Sequence, residues 1–89
     1  MRFPEEVTKD ALNRLRRAEG QLRGVQRLLE EGADCTDVVT QISAVQAALH
    51  RAGLRLMASG MRYCIANPDV AESDGMTVDD MEELFLTLR

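Results

Sequence analysis

Val38-Val39-Thr40-Gln41-Ile42-Ser43-Ala44-Val45-Gln46-Ala47-Ala48-Leu49-His50-Arg51-Ala52-Gly53-Leu54-Arg55-Leu56 carries apolar side chains at Val38, Ile42, Val45, Leu49, Ala52 and Leu56. Steps of four and three alternate along it, the seam of a helix packed on helices rather than the two-residue alternation of a strand. Upstream, Ala11, Leu15, Ala18, Leu22, Val25 and Leu29 keep the same rhythm. Pro4, Glu5 and Glu6 suit the first turn of that earlier helix, with Pro4 at its first position. Gly32 ends it. Asp34 then suits the N-cap of the next helix, with Asp37 in its first turn. That second helix is predicted to run to about Asn67, where Pro68 stops it. A loop is predicted over Asp69–Met76, carrying Gly75. Thr77 with Asp80 forms a capping box opening a short third helix through Val78, Met81, Leu84, Phe85 and Leu88.

These elements make an all-α fold, with residues 1–89 as a single all-helical domain. The short connection around Gly32 folds the long helices into an antiparallel hairpin. Two long helices and a short one cannot cover their own apolar stripes. A second hairpin would, so a dimeric antiparallel four-helix bundle is expected. Aromatics make up 3% and Trp is absent, which leaves the core to Leu, Val, Ile, Ala and Met. The first residues are polar and charged, and no stretch approaches the ~20 apolar residues of a membrane span. A cytoplasmic protein with no membrane partner is expected, in a compartment that keeps thiols reduced.

The chain has two cysteines, Cys35 and Cys64, 29 residues apart along the second helix. At ~1.5 Å per residue that holds the sulfurs ~43 Å apart, far beyond disulfide reach. Within one chain they cannot meet. On a helical wheel Cys35 falls at about 60° from Val38 and Cys64 at about 80°, on one edge of the apolar stripe. Two antiparallel copies of this helix, crossing near Leu49 and His50, would form two identical sites between Cys35 and Cys64 of the second copy. The only histidine, His50, lies on the order of 21 Å from either cysteine and completes neither. Cys35 sits in the first turn, where the positive helix end attracts an anionic sulfur, while Asp34 and Asp37 oppose it. It is expected to be the more nucleophilic of the two. The plainer reading of both is a small buried hydrophobe.

The formal net charge of −4 argues against nucleic acid, but the charge is uneven. Lys9, Arg14, Arg16, Arg17, Arg23 and Arg27 crowd the first helix, and Asp69, Glu72, Asp74, Asp79, Asp80, Glu82 and Glu83 crowd the tail. Lys9, Arg16, Arg23 and Arg27 form one outward stripe, Arg51, Arg55 and Arg62 another. Such stripes could neutralise phosphates. On charge alone solvated faces are the favoured reading, since no helix-turn-helix, zinc finger or aromatic stacking module is visible.

The strings Asn13-Arg14-Leu15-Arg16-Arg17-Ala18-Glu19-Gly20-Gln21-Leu22-Arg23-Gly24, Asp34-Cys35 and Val39-Thr40-Gln41-Ile42-Ser43-Ala44-Val45-Gln46-Ala47-Ala48-Leu49 resemble the copper-sensitive operon repressor family. The resemblance runs from about Glu5 to Asn67. It implies a dimer-of-dimers tetramer that binds operator double-stranded DNA without a helix-turn-helix and releases it when an inducer engages a site between protomers. It places DNA contacts at Arg14 and Arg51. With the neighbouring cations, the candidate DNA-binding set is Arg14, Arg16, Arg17, Arg23, Arg51 and Arg55.

The family's copper sensors use Cys, His and Cys, the His four residues before the second Cys. Here the flanking positions are Cys35 and Cys64, but the intervening one is Gly60. Nickel and cobalt members use several His, and formaldehyde sensors an N-terminal proline amine, whereas Pro4 stands behind Met1, Arg2 and Phe3. What remains resembles the CsoR-like sulfurtransferase repressors, which sense persulfides and polysulfides. That resemblance implies Cys35 and Cys64 as sensing thiols, no cofactor and no metal, with sulfur transfer to Cys35 followed by crosslinking to Cys64 of a partner. The alternative is Cu(I) held by the same two thiolates, since soft sulfur ligands select Cu(I). A thiol enzyme is not expected, because no general base accompanies either cysteine. A helical adaptor without DNA affinity is the remaining rival.

Overall fold

The computed structural model describes residues 2–73 and 75–89. Four helices follow one another: α1 Glu5–Glu30, α2 Cys35–Ala66, α3 Pro68–Ser73 and α4 Val78–Leu88. No strand occurs among the described residues. The all-helical reading holds, with one addition and one shift. Part of the segment expected to be loop, Asp69–Met76, is the short helix α3. Pro68 therefore both stops α2 and starts α3, since proline lacks the N–H that continuation needs but suits a first turn. Pro4 is the N-cap of α1 rather than its first helical residue, and its carbonyl accepts the Thr8 N–H at 3.0 Å.

The turn between the long helices follows from two residues. Gly32 adopts φ +70°, the left-handed conformation that L side chains resist. There its N–H donates to the Leu29 carbonyl at 3.2 Å and the Ala33 N–H to the Leu28 carbonyl at 2.9 Å. This satisfies carbonyls that the end of α1 leaves open. Two residues later the Asp34 carboxylate accepts the Thr36 N–H at 3.0 Å and opens α2. At the far end Thr77 and Asp80 form the expected reciprocal capping box of α4.

The seams do not behave as single stripes. In α1 the buried residues are Ala11, Ala18 and Val25, and in α2 they include Val38, Val45 and Ala52. These alternate seam positions face the other long helix. The intervening residues Leu15, Leu22, Leu29, Ile42 and Leu49 stay exposed, Leu22 at 47% and Leu49 at 46%. The molecule is 54 × 23 × 15 Å, and its thinnest dimension is little more than one helix diameter. A single layer of this kind has no second layer with which to cover that face.

Beyond Ala52 the buried face of α2 turns to Met57, Gly60 and Cys64, because α4 packs there. Leu88 meets Gly53 and Met81 meets Gly60, so α4 runs antiparallel to α2. Two core clusters result. One is aliphatic: Val25, Val38 and Val45, with Leu28 and Ala33 against them. The other is Met57, Cys64, Ala71 and Met81, with Phe3, Met61, Met76 and Phe85 against them.

Gly32→Ala should lower unfolding stability by about 1 kcal/mol, the cost of a Cβ in the left-handed region. Urea denaturation would register it as a lower midpoint with an unchanged slope.

Candidate thiol pair and basic cleft

Cys35 is the first residue of α2 and is exposed; Cys64, near its other end, is buried. No disulfide links them. Because α2 is continuous over 32 residues, its rise of ~1.5 Å per residue separates them by ~43 Å, so one chain cannot join them. His50 is exposed on the middle of the same helix, remote from both.

The two cysteines meet different surroundings. Cys35 has the Asp34 cap beside it and solvent in front. Cys64 is 1% exposed, lodged among methionines and phenylalanines beneath α3 and α4. Its opening is a cleft of about 80 Å³ lined by Cys64, Pro68, Ala71, Glu72, Met76, Thr77 and Val78. Met61 packs on this cluster, and Tyr63, two residues on, does not belong to it.

Gly60, four residues before Cys64, is fully enclosed. A Cβ there would stand 2.6 Å from Met81 Cε and 2.8 Å from Phe3 Cε1. The place that the resemblance reserves for an imidazole is therefore taken by Phe3 and Met81. Phe3 comes from the segment before α1, brought here by the antiparallel hairpin.

A second feature lies between α1 and α2. Arg14, Arg17, Ala18, Gln21, Ala48 and Arg51 line a cleft of about 210 Å³. Beside it one carboxylate oxygen of Asp10 accepts from Arg14 Nε at 3.1 Å and forms an ion pair with Arg55 Nε at 3.3 Å. The Arg14 hydrogen bond, aided by the charges of Arg14 and Arg55, holds the Asp10 carboxyl below its ordinary value against a smaller desolvation effect. These contacts are complete above the ordinary Asp value and are lost as pH falls through the lowered one.

Of the six candidate arginines, the structure brings Arg14, Arg17 and Arg51 together and ties Arg55 to them through Asp10. Arg16 and Arg23 do not line the cleft; Arg23 pairs with Glu19 at 3.4 Å along the outer face of α1. Arg14 sits at the flank of the seam, which is what turns it into the groove between helices. Gln21 escaped the sequence reading, although Arg14, Arg17 and Gln21 share one helical flank at spacings of three and four.

Residues 7–88 match the metal-sensitive transcriptional repressor family. The chain belongs to that family. It is 36% identical over 73 residues to the copper-sensing transcriptional repressor CsoR of Bacillus subtilis, covering 82% of this chain and 72% of that protein. It is 50% identical over 52 residues to the copper-sensing transcriptional repressor RicR of Mycobacterium tuberculosis, covering 58% and 54%. With CsoR of Mycobacterium bovis it shares 42% over 75 residues, covering 84% and 60%. The chain thus spans a little over half of these two mycobacterial proteins. No solved structure matches it. These relatives are named for copper, so the comparisons support the repressor family and leave the persulfide-sensing branch without support. No helix is long and apolar enough to cross a membrane among the described residues. In this member of the repressor family α2 carries Cys35 and Cys64 at opposite ends and glycine at position 60.

Gly60→Ala should destabilise the fold by about 1 kcal/mol or more through overpacking against Phe3 and Met81. In a double-mutant cycle with Phe3→Ala the costs should be less than additive, because removing the ring vacates the space the new methyl needs. Urea denaturation of the four chains reads the coupling.

Proposed function

We propose that this repressor-family chain holds operator double-stranded DNA through the cleft of Arg14, Arg17 and Arg51, with Arg55 beside it. Convergence of three guanidinium groups on one groove carries this reading. Guanidinium forks suit phosphate oxygens, and their contribution to DNA binding falls steeply with salt. Arg16 and Arg23 on the outer face would add only diffuse attraction. The exposed row of Leu15, Leu22, Leu29, Ile42 and Leu49 supports a homodimer that buries it against a second copy, in keeping with the bundle that the resemblance implies. Pairing of dimers into a tetramer rests on that resemblance.

Release follows when a thiophilic inducer joins Cys35 of one protomer to Cys64 of another. The inducer this reading takes is Cu(I). Three observations support it: the copper-sensing relatives, an all-sulfur donor pair that suits a soft monovalent cation, and a cleft to Cys64 that passes the Glu72 carboxylate. A cleft bearing negative charge draws cations and disfavours anions.

A second reading keeps the same thiols and exchanges the inducer for a persulfide or polysulfide. Gly60 favours it, since no imidazole can stand there while Phe3 and Met81 fill the space. In that case a polysulfide transfers one sulfane sulfur to the Cys35 thiolate and departs one sulfur shorter. The partner's Cys64 thiolate then attacks Cys35 Sγ and expels the transferred sulfur as hydrosulfide, leaving a disulfide. The exposure of Cys35 and burial of Cys64 support that order of events.

Electrophoretic titration on a duplex selected from random sequence tests both. Arg51→Ala should weaken binding about tenfold and reduce the salt slope by about one. Cu(I) should dissociate the wild-type complex, and inorganic polysulfide should leave it intact. The opposite pattern, with a covalent dimer on a non-reducing gel, would establish the sulfur reading instead. Leu22→Lys should shift the protein toward monomer in sedimentation.

A further inference from the structure

Two grooves run between α1 and α2, one on each side of the hairpin. Ala18, 3% exposed, borders both. The first is the basic groove of Arg14, Arg17, Gln21 and Arg51, whose lining includes no carboxylate. The second, of about 240 Å³, is lined by Leu15, Glu19, Leu22, Val45 and Leu49.

The pattern of each helix places these grooves. With Ala18 as zero, Arg14, Gln21 and Arg17 fall at about 40°, 60° and 100° to one side of α1. Leu22, Leu15 and Glu19 fall at about the same angles to the other side. On α2, counted from Val45, Ala48 and Arg51 fall at about 60° and 120° to one side, and Leu49 and Ile42 at about 40° and 60° to the other. The molecule is only 15 Å through, one layer of helices, so these flanks become its two broad faces. One face is apolar, the other basic, and they stand back to back.

An isologous two-fold contact buries a patch against its own copy, and the axis lies in the plane of the contact. Pairing through the apolar face therefore turns the two basic grooves in opposite directions. Two helix layers of ~10 Å each set them about 20 Å apart. A duplex on one groove does not reach the other. With a persistence length of about 150 bp, DNA resists turning back on itself around so thin a body. Pairing of dimers in a closed symmetric assembly leaves this unchanged: its protomers are equivalent, and a contact that covered one groove would cover them all.

On the DNA and homodimer readings above, we infer that the assembled protein holds two DNA duplexes at once, one on each of two opposite faces, and so joins separate stretches of DNA. The two-fold makes the grooves identical, so the second takes the same ligand as the first. Its charge suits the phosphate backbone in the same way, and neither duplex has to bend.

The test uses the full chain and two copies of the selected duplex, one biotinylated on streptavidin beads and one fluorescent. Protein loaded on the first and washed should capture the second, and raised salt should release both. Sedimentation with duplex in excess should give one protein assembly carrying two duplexes. Leu22→Lys alters an exposed residue on the face opposite the arginines. As a monomer it should still shift a duplex in a gel, and the capture should be lost. Arg51→Ala should weaken gel shift and capture together. A wild-type assembly that saturates at one duplex, or capture that persists in monomeric Leu22→Lys, would overturn bridging and leave the DNA reading standing. Failure of the wild-type chain to shift any duplex would overturn both.

Discussion

The rigidity of α2 governs this molecule. A helix unbroken from Cys35 to Ala66 acts as a rod whose two ends cannot approach each other. It keeps the two thiols apart within a chain and gives α1 one half and α4 the other. It also sets the length of the whole molecule. The helix persists because its seam never lapses, because Asp34 caps its start, and because the only proline near its end, Pro68, comes after the last turn.

Along that rod the buried face rotates. Against α1 it is Val38, Val45 and Ala52; against α4 it is Met57, Gly60 and Cys64. The rotation divides the core by chemistry as well as by position, aliphatic at the hairpin turn and sulfur-rich at the open end. The open end is also where the chain before α1 returns, so Phe3 closes over Gly60 and Met81. The basic cleft lies between these regions, on the same pair of helices. Arg14 of α1 and Arg51 of α2 line that cleft from opposite helices.

Charge follows the same economy. The overall acidity resides in α3, α4 and the segment between them, while cations concentrate on α1 and the middle of α2. Asp10, placed among arginines, orients Arg14 and Arg55 and partly neutralises them. Its contacts are exposed and contribute little to stability. What they do is hold two guanidinium groups beside the cleft.

Helix number, order and capping could be read almost entirely from local chemistry. Gly32, Asp34, Pro68 and the Thr77–Asp80 pair each act within a few residues of themselves, so their consequences need no knowledge of the fold. The one missed element, α3, is six residues long, too short for periodicity to register. The separation of the cysteines followed from helix geometry alone. Tertiary structure decided everything that depends on a neighbour distant in sequence. It split each seam into a covered half and an exposed half, turned Arg14 and Arg51 toward one groove, sent Arg16 and Arg23 elsewhere, buried Cys64 while leaving Cys35 in solvent, and filled the space at Gly60 with Phe3. A helical wheel assigns a residue to a side of its own helix. Only the packing of α1 and α4 on α2 determines what that side meets.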